Sequence, residues 1–499
     1  MTKFRPIMTA LAISMIGLLL VLSRIDCGGT YPTLEGPGLT LDEVYNVEQG
    51  VYLTVAAKEL GWTLFTFSGA QQAFGDKTAY NPDHPPIGRL LLGLAHNAVT
   101  QFLPSESGSA VTIAAGRVGS AVAFAATLFL ITFFVAHRVN LIAGVASGAA
   151  LLMMPRVVGH AHLGSLETMV GFFYTAAILA AGRTADKGSR SSTGRLIVAG
   201  VLIAVAMLTK IQGVFLPAAV IGWMLLTRKF GGLRSSFIVA ITVAVFFVAL
   251  WPWLWLDPIE HVGDYLGRTT DRQTVYNYYL GDRFAAPATN DVPATPWNYT
   301  LVMFLTTVPV GLHMFGFAGA MGALKRQLSE WQGAVLFGIA VPLVAFSTIA
   351  PVYDGARLFL IVYPLWAILI GIAFSAGLDF ARKKSRFLPV VLIVGFASQC
   401  VGTLTTAPFY LSYYNFAVGG TAGADELGFE RSYWGEATTK SFWDQVPEGS
   451  TVYVAPVLDN YRLQSLKKYS PIIQQRNITL EPFYYDLTKQ PGLILILHR

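Results

Sequence analysis

The chain has 499 residues, 54% apolar and 13% charged, about half the charge density of a soluble domain. That density, a mean hydropathy of +0.52 and 13% aromatic residues exclude a soluble multidomain protein and a disordered chain, and leave a polytopic membrane protein. The two cysteines, Cys27 and Cys400, are too few for a disulfide framework or a paired-cysteine metal site.

At the N-terminus, Lys3 and Arg5 precede an uncharged run, residues 7–23, with no small-x-small cleavage site after it. This reads as an uncleaved signal anchor. Further apolar runs follow at 110–136, 139–155, 163–182, 196–209, 213–227, 235–256, 299–323, 331–350, 358–378 and 387–407. A lone lysine at mid-bilayer costs about 3 kcal/mol, so the chain should turn at Lys210-Ile211-Gln212-Gly213 rather than run through as one helix. The expectation is about eleven transmembrane helices.

Charge placement supports that parity. With the N-terminus cytoplasmic, the inside loops hold 16 of the 35 Lys/Arg and only Asp186, Glu330 and Asp379 of the 29 acids. The inside then carries +13 and everything else −7, as the preference of basic residues for cytoplasmic loops requires. Merging either hairpin would place later basic runs outside.

Three segments then face the outer side: 24–109, 257–298 and 408–499. In the first, residues 43–60 align Val44, Val47, Val51 and Val55, and residues 86–102 align Ile87, Leu90, Leu91, Leu94 and Ala98. Both stretches read as amphipathic helices on the membrane surface, the second opened by Pro86. In the last segment, strand-like runs at 451–456 and 493–498 suggest a small soluble α/β domain, so that residues 1–407 form the transmembrane unit and 408–499 an outer-face unit.

The outer face is also where charges capable of chemistry collect. Asp42-Glu43 stands at the start of the first surface helix. The pair either complements the helix dipole or supplies a general base for an acceptor hydroxyl, with Asp42 an optional metal ligand. Asp83-His84-Pro85-Pro86-Ile87-Gly88-Arg89 is either a rigid turn into a helix or a site in which Arg89 meets a phosphate. Arg117, Arg156, Lys210, Asp354 and Arg357 lie within or beside spans, all toward the outer side, with His160, His162 and Glu167 near Arg156. Intramembrane charge is a functional signal by default, and four cations around one outer cavity suit a phosphate-bearing lipid. His160 and His162, two residues apart, sit on different helix faces and make a poor metal pair.

The order of a span, Leu41-Asp42-Glu43-Val44-Tyr45-Asn46, a surface helix, Asp83-His84-Pro85-Pro86-Ile87-Gly88-Arg89-Leu90-Leu91 and a second span resembles the protein O-mannosyltransferases, in family 39 of glycosyltransferase superfamily C. Arg117 in Ala-Ala-Gly-Arg-Val-Gly, Lys210 in Leu-Thr-Lys-Ile-Gln-Gly, residues 251–258, 353–366 and 411–436 also resemble bacterial members, so the likeness covers most of residues 20–440. The resemblance implies an inverting transfer of a sugar such as mannose from a polyprenyl-phosphate carrier to an acceptor hydroxyl on the outer face of a bacterial cytoplasmic membrane. Asp42 would be the base and Glu43 its support. Arg117, Lys210, Arg357 and Arg89 would hold the donor phosphate, while His84, Asp83, Arg156 and Asp354 shape the site. A divalent cation (Mg or Mn) is optional. The acceptor is a protein Ser/Thr, a lipid or a glycan, and no nucleic-acid partner is expected. The 42 residues of 257–298 are too few for the β-trefoil that eukaryotic members carry. A lipid-linked-sugar flippase or other transporter is the alternative reading.

Overall fold

The structure is a computed structural model that describes residues 4–26, 33–102, 111–185, 193–227, 229–267, 274–326, 328, 330–458, 460–484 and 492–497. Cys27 and His498 lie outside the described residues, and Cys400 is a free thiol, partly buried.

The chain is helical nearly throughout. After α1 (Arg5–Leu22) come α2 (Leu41–Leu60), α3 (Phe67–Phe74), α4 (Pro86–Thr100), α5 (Ile113–Arg138), α6 (Leu141–Leu152), α7 (Pro155–Ala161), α8 (Glu167–Gly182), α9 (Thr193–Met207), α10 (Phe215–Thr227) and α11 (Lys229–Ala249). Two short helices, α12 (Trp253–Leu256) and α13 (Pro258–Gly267), lead to an antiparallel hairpin of β1 (Val275–Tyr279) and β2 (Asp282–Ala286). Next are α14 (Tyr299–Thr307), α15 (Val310–Lys325), α16 (Trp331–Thr348), α17 (Tyr363–Lys384), α18 (Leu388–Ala397) and α19 (Val401–Thr406). The C-terminal part has α20 (Gly420–Glu426), α21 (Lys440–Trp443), β3 (Thr451–Ala455), α22 (Asn460–Tyr469), α23 (Pro471–Gln475), β4 (Thr479–Pro482) and β5 (Ile494–Ile496). Its strands form a parallel sheet in the order β4-β3-β5.

Six helices among the described residues are long and apolar enough to cross a bilayer: Arg5–Leu22, Ile113–Arg138, Gly231–Ala249, Trp331–Thr348, Arg357–Lys384 and Leu388–Thr406. Two bent pairs raise the number to eight. The bends, 72° between α6 and α7 and 115° between α14 and α15, fall where Pro155 and Pro309 interrupt the backbone ladder. Each of the eleven apolar runs read from the sequence contains a helix or a helix pair. Three of them, α8, α9 and α10, are only 16, 15 and 13 residues long. The expected break at Lys210 is present: α9 stops at Met207, and a 3-10 turn, Ile211–Val214, precedes α10.

Burial sets the layers. The Arg357–Lys384 helix is 89% buried along its most apolar window, against 17% for α1 and 11% for Leu388–Thr406. The central helix approaches its neighbours through small residues: a Cβ on Gly371 would collide with Ser147 on α6, and one on Gly319 of α15 with the Leu369 carbonyl. Bilayers offer little hydrophobic drive between helices, so close backbone approach at Gly and Ala takes over.

The same device sets the buried face of α4. In α4 the buried face is Gly88, Arg89, Leu92, Gly93 and His96, while Leu94 is exposed. The reason is that α2 and α4 run parallel with their backbones in contact. Asn46 meets Arg89, a Cβ on Gly50 or Gly93 would strike the opposite backbone, and Asn97 donates to Thr54 Oγ1 at 2.9 Å. Of the leucine stripe seen in the sequence, Ile87, Leu90 and Leu91 are partly buried in clusters that α2 helps to form, while Leu94 and Ala98 are exposed.

Candidate active site

Asp42 and Glu43 are sequence neighbours with opposite surroundings. Glu43 is fully buried and accepts four hydrogen bonds: from Thr40 N at 2.7 Å, Gly164 N at 2.8 Å, Arg117 Nε at 2.8 Å and Arg117 Nη2 at 2.7 Å. The Thr40-to-Glu43 bond ties the start of α2 to itself, and the signal for it was legible as Thr40-x-x-Glu43, the pattern of a helix-capping box. Gly164 ties in the α7–α8 turn, where a Cβ would lie 3.2 Å from Glu43 Cβ.

Arg117, expected to hold the donor phosphate, has every N–H committed inside the protein. Beyond Glu43 it donates from Nη1 to the carbonyls of Ile25 at 3.1 Å and Pro37 at 3.0 Å, and from Nη2 to Gly38 at 2.8 Å. A guanidinium has five donors in a fixed fork, and all five are used. In this arrangement Arg117 joins α5 to the segment that delivers α2. Arg89 also has partners within the protein. It is fully buried, with Nη1 on the Asn81 carbonyl at 2.5 Å, Nε on Asn46 Oδ1 at 3.3 Å and its guanidinium 5.1 Å from the Tyr45 ring centre. It locks the turn before α4 onto α2.

Asp42 points the other way, into a second set of charges. Its side chain is 36% exposed, and Oδ2 lies 3.0 Å from Arg357 Nη2. Arg357 also pairs through Nε with Glu167 Oε1 at 2.8 Å and through Nη1 with Asp354 Oδ2 at 2.6 Å. Lys210 Nζ bonds Glu167 Oε1 as well. Glu167 and Asp354 are each 2% exposed. Five elements thus converge: the N-terminus of α2, the N-terminus of α8, the loop after α9, the loop before α17 and the α17 approach itself. Glu167 was noticed in the sequence only as a charge beside a turn. Its partners stand 43 and 190 positions away, and spacing along one chain does not reveal such contacts.

The loop carrying Asp354 has an unusual backbone. Asp354 and Gly355 are both left-handed, φ 56° and 59°. Aspartate tolerates this conformation better than most residues, and Gly355 N donates to Tyr299 Oη at 2.8 Å. At Gly355 a side chain is also excluded by space, because its Cβ would strike Arg156 Nη1. Arg156 is buried under this loop, donates from Nε to the Tyr413 carbonyl at 3.1 Å and lies 4.6 Å from the Tyr414 ring centre.

Residues after 430 close this side, which sequence periodicity did not foresee. Trp434 covers Arg357, ring centre to guanidinium 4.1 Å, and His160 Nε2 meets Tyr433 Oη at 2.9 Å. Burial raises the pKa of the Tyr433 and Tyr414 hydroxyls, which keeps both neutral beside Arg156. Glu436, buried behind Trp434, has its carboxyl pKa raised by the same desolvation. Farther along α2, Glu48 accepts from Tyr461 at 2.5 Å and from Tyr469, so α22 docks on the same helix.

Asp83 is exposed in the turn before α4, with its N–H on Asn81 Oδ1 at 2.8 Å, and His84 is partly buried next to it. Among the described residues no group of three or more His, Cys, Asp or Glu side chains is placed to hold a metal ion. The three carboxylates that converge do so on cations, Arg357 and Lys210, so the residues present do not fit the optional divalent site. His162 Nδ1 faces the Val158 carbonyl at 2.7 Å and stacks on Tyr410, apart from the His160–Tyr433 pair.

Comparison with known proteins follows the same lines. The sequence profile of dolichyl-phosphate-mannose-protein mannosyltransferases matches residues 83–256. No curated protein matches the chain. In fold it is similar to ArnT from Cupriavidus metallidurans in the apo state, at 14% identity and a TM-score of 0.54, covering 99% of this chain and 93% of that one. The same enzyme bound to undecaprenyl phosphate matches at 13% identity and 0.54, covering 94% and 88%. The archaeal oligosaccharyltransferase AglB from Archaeoglobus fulgidus, in complex with an inhibitory peptide and a dolichol-phosphate, matches at 11% identity and 0.57, covering 94% and 64%. Residues 83–256, which include His84-Pro85-Pro86, Arg117, Glu167 and Lys210, thus match the model of the dolichyl-phosphate-mannose-protein mannosyltransferase family, and the chain as a whole has the fold of an integral, multi-pass membrane protein similar to ArnT.

Proposed function

We propose that the protein moves a sugar, a hexose such as mannose, from a polyprenyl-phosphate carrier to an acceptor hydroxyl on the outer face of the membrane, with inversion, and that Asp42 is the general base. The observation that carries this reading is the contrast in exposure within one charge cluster. Asp42 is 36% exposed while Glu167 and Asp354 are 2% exposed, so an acceptor reaches Asp42 first. The carriers held by two proteins of like fold, undecaprenyl phosphate and a dolichol-phosphate, support the donor class.

In the proposed step, Asp42 takes the acceptor hydroxyl proton as the oxygen bonds to C1 of the sugar. The C1–O bond to phosphate breaks, and its electron pair leaves with the phosphate. The phosphodiester monoanion thereby becomes a monoester with greater negative charge. Cations fixed beside that oxygen lower the barrier because they act on charge that develops in the transition state. Lys210 and Arg357 fill this role, with Arg156 behind Gly355 as a third cation. The carboxylate is a far weaker base than an alkoxide, so close positioning must supply much of the rate. Arg357 restrains Asp42 from one side, and Glu43 fixes the helix start from the other.

The wider assembly is proposed as eleven spans, with the short helices α8, α9 and α10 crossing where the site dips into the membrane. The N-terminus is cytoplasmic, and the active site lies on the outer side of a bacterial cytoplasmic membrane. Residues 1–407 form the transferase unit and 408–499 an outer-face soluble domain. The acceptor is a protein Ser/Thr, a lipid or a glycan. Purified protein incubated with labelled polyprenyl-phosphate mannose tests the reading. Acceptor-dependent loss of the lipid sugar in detergent is expected, and movement of intact lipid sugar only in sealed vesicles would contradict it.

A further inference from the structure

The stretch between α2 and α4 carries an apolar feature that the chemistry does not use. Residues 60–75 contain no charged side chain, although Lys58, Glu59, Asp76 and Lys77 flank them. Within this stretch the turn Gly61–Phe65 and α3 present Trp62 at 89%, Phe67 at 63% and Phe65 at 49% exposure. Such a row of exposed rings on a water-facing loop would be costly, because each would order water around a large apolar surface.

The position of the row says what covers it. On its inner side Leu60 and Leu64 pack against an apolar cluster that includes Phe247 and Trp251 at the end of α11 and Ala204 and Leu208 at the end of α9. The rings run on as Trp62 to Phe65 at 6.5 Å and Phe65 to Trp255 at 6.4 Å between centres. Trp255 donates to the carbonyl of Val248, the last residue but one of α11, at 2.7 Å. Along α11, Ile241, Val245 and Val248 are exposed at helical spacing, which is the lipid-facing stripe of a spanning helix. The aromatic row continues that stripe past the end of the span. Tryptophan and its neighbours favour this depth, where an apolar ring body meets lipid and a polar edge meets headgroups.

We infer that Gly61–Phe74 is an interfacial anchor that seats Trp62, Phe65 and Phe67 in the headgroup–acyl boundary of the leaflet where α11 ends. The occupant of this face is a lipid surface, held by apolar contact rather than by charge. The 20 residues of α2 join the anchor to Asp42, so the bilayer fixes the height of the far end of the helix that carries the candidate base. The inference rests on α11 being a span and is independent of the chemistry assigned to Asp42.

The test uses the full chain carrying Cys27→Ser, Cys400→Ser and Trp62→Cys, labelled with a nitrobenzoxadiazole probe in phosphatidylcholine nanodiscs. Glu448→Cys, at an exposed site in the C-terminal part, serves as the aqueous control. Acyl-brominated phosphatidylcholine should quench the probe at position 62 several-fold more than the probe at 448, and iodide should show the reverse order. Anionic lipid or added salt should leave both patterns unchanged. Iodide quenching at 62 equal to that at 448 would overturn the inference. So would protection from both quenchers, which would mark a second copy or another protein on this face. Phe67→Cys gives the same reading if Trp62→Cys fails to fold.

Discussion

Two carboxylates one bond apart in sequence have been given unlike tasks. Glu43 sits in a closed node with all of its partners internal, and Asp42 sits in an open one beside mutually competing charges. Around Glu43 a buried arginine spends its five donors on one carboxylate and three carbonyls, so nothing is left to meet a substrate. Around Asp42 a single guanidinium serves three carboxylates, and one of those shares a lysine. The difference teaches where to look for chemistry in an apolar protein. On the proposed reading, satisfied charge holds the frame, and charge that can exchange partners handles the ligand.

Breaking the closed node should have the largest effect on folding. Glu43→Ala leaves Arg117 buried without its counter-ion, at a cost of about 3–5 kcal/mol, seen as lost yield and a lower melting temperature in detergent. The double variant Glu43→Ala/Arg117→Ala should lose less than the sum of the single variants, because the pair acts as a unit. In the open node the expected loss is catalytic. Lys210→Met should reduce the kcat/KM of the folded fraction about 10²-fold, the scale of one lost electrostatic contact to a developing charge. A smaller structural effect is expected at the seam between the nodes. Gly164→Ala puts a methyl 2.9 Å from Val47 Cγ2 and 3.2 Å from Glu43 Cβ, and overpacking of this kind costs about 1–3 kcal/mol.

The smallest effect concerns Glu436. Burial raises its pKa in the folded state, so the folded protein binds that proton more tightly than the unfolded chain does. The stability it contributes is full below the unfolded carboxyl value and is lost as pH rises through the raised folded value. Glu436→Gln should therefore melt progressively higher than the parent as pH is raised from 4 to 8. A constant offset across that range would contradict the assignment.

Much of the architecture was legible because bilayers impose simple rules. Apolar runs, the turn at Lys210 and the start of α4 at Pro86 all follow from hydropathy and backbone chemistry. Asp42, Lys210, Asp354 and Arg357, singled out because charge near a membrane is scarce, stand together in one ion-pair cluster. The internal partners of Arg117 and Arg89 were not legible. A buried arginine looks the same in sequence whether its donors meet a phosphate or main-chain carbonyls. The close approach of α2 and α4 was not legible, because it runs through Gly50 and Gly93, and glycine contributes nothing to a hydrophobic stripe. Trp434 and Glu167 lay beyond reach, for their roles come from contacts between residues far apart in the chain.

The division of labour between the paired carboxylates is tested most directly by turnover of labelled polyprenyl-phosphate mannose by Asp42→Asn, read beside donor binding and melting temperature. If Asp42 is the base, the variant melts near the parent, still binds the donor and loses turnover by about 10²–10⁴-fold. An Asp42→Asn protein that folds and turns over at the parental rate would contradict it.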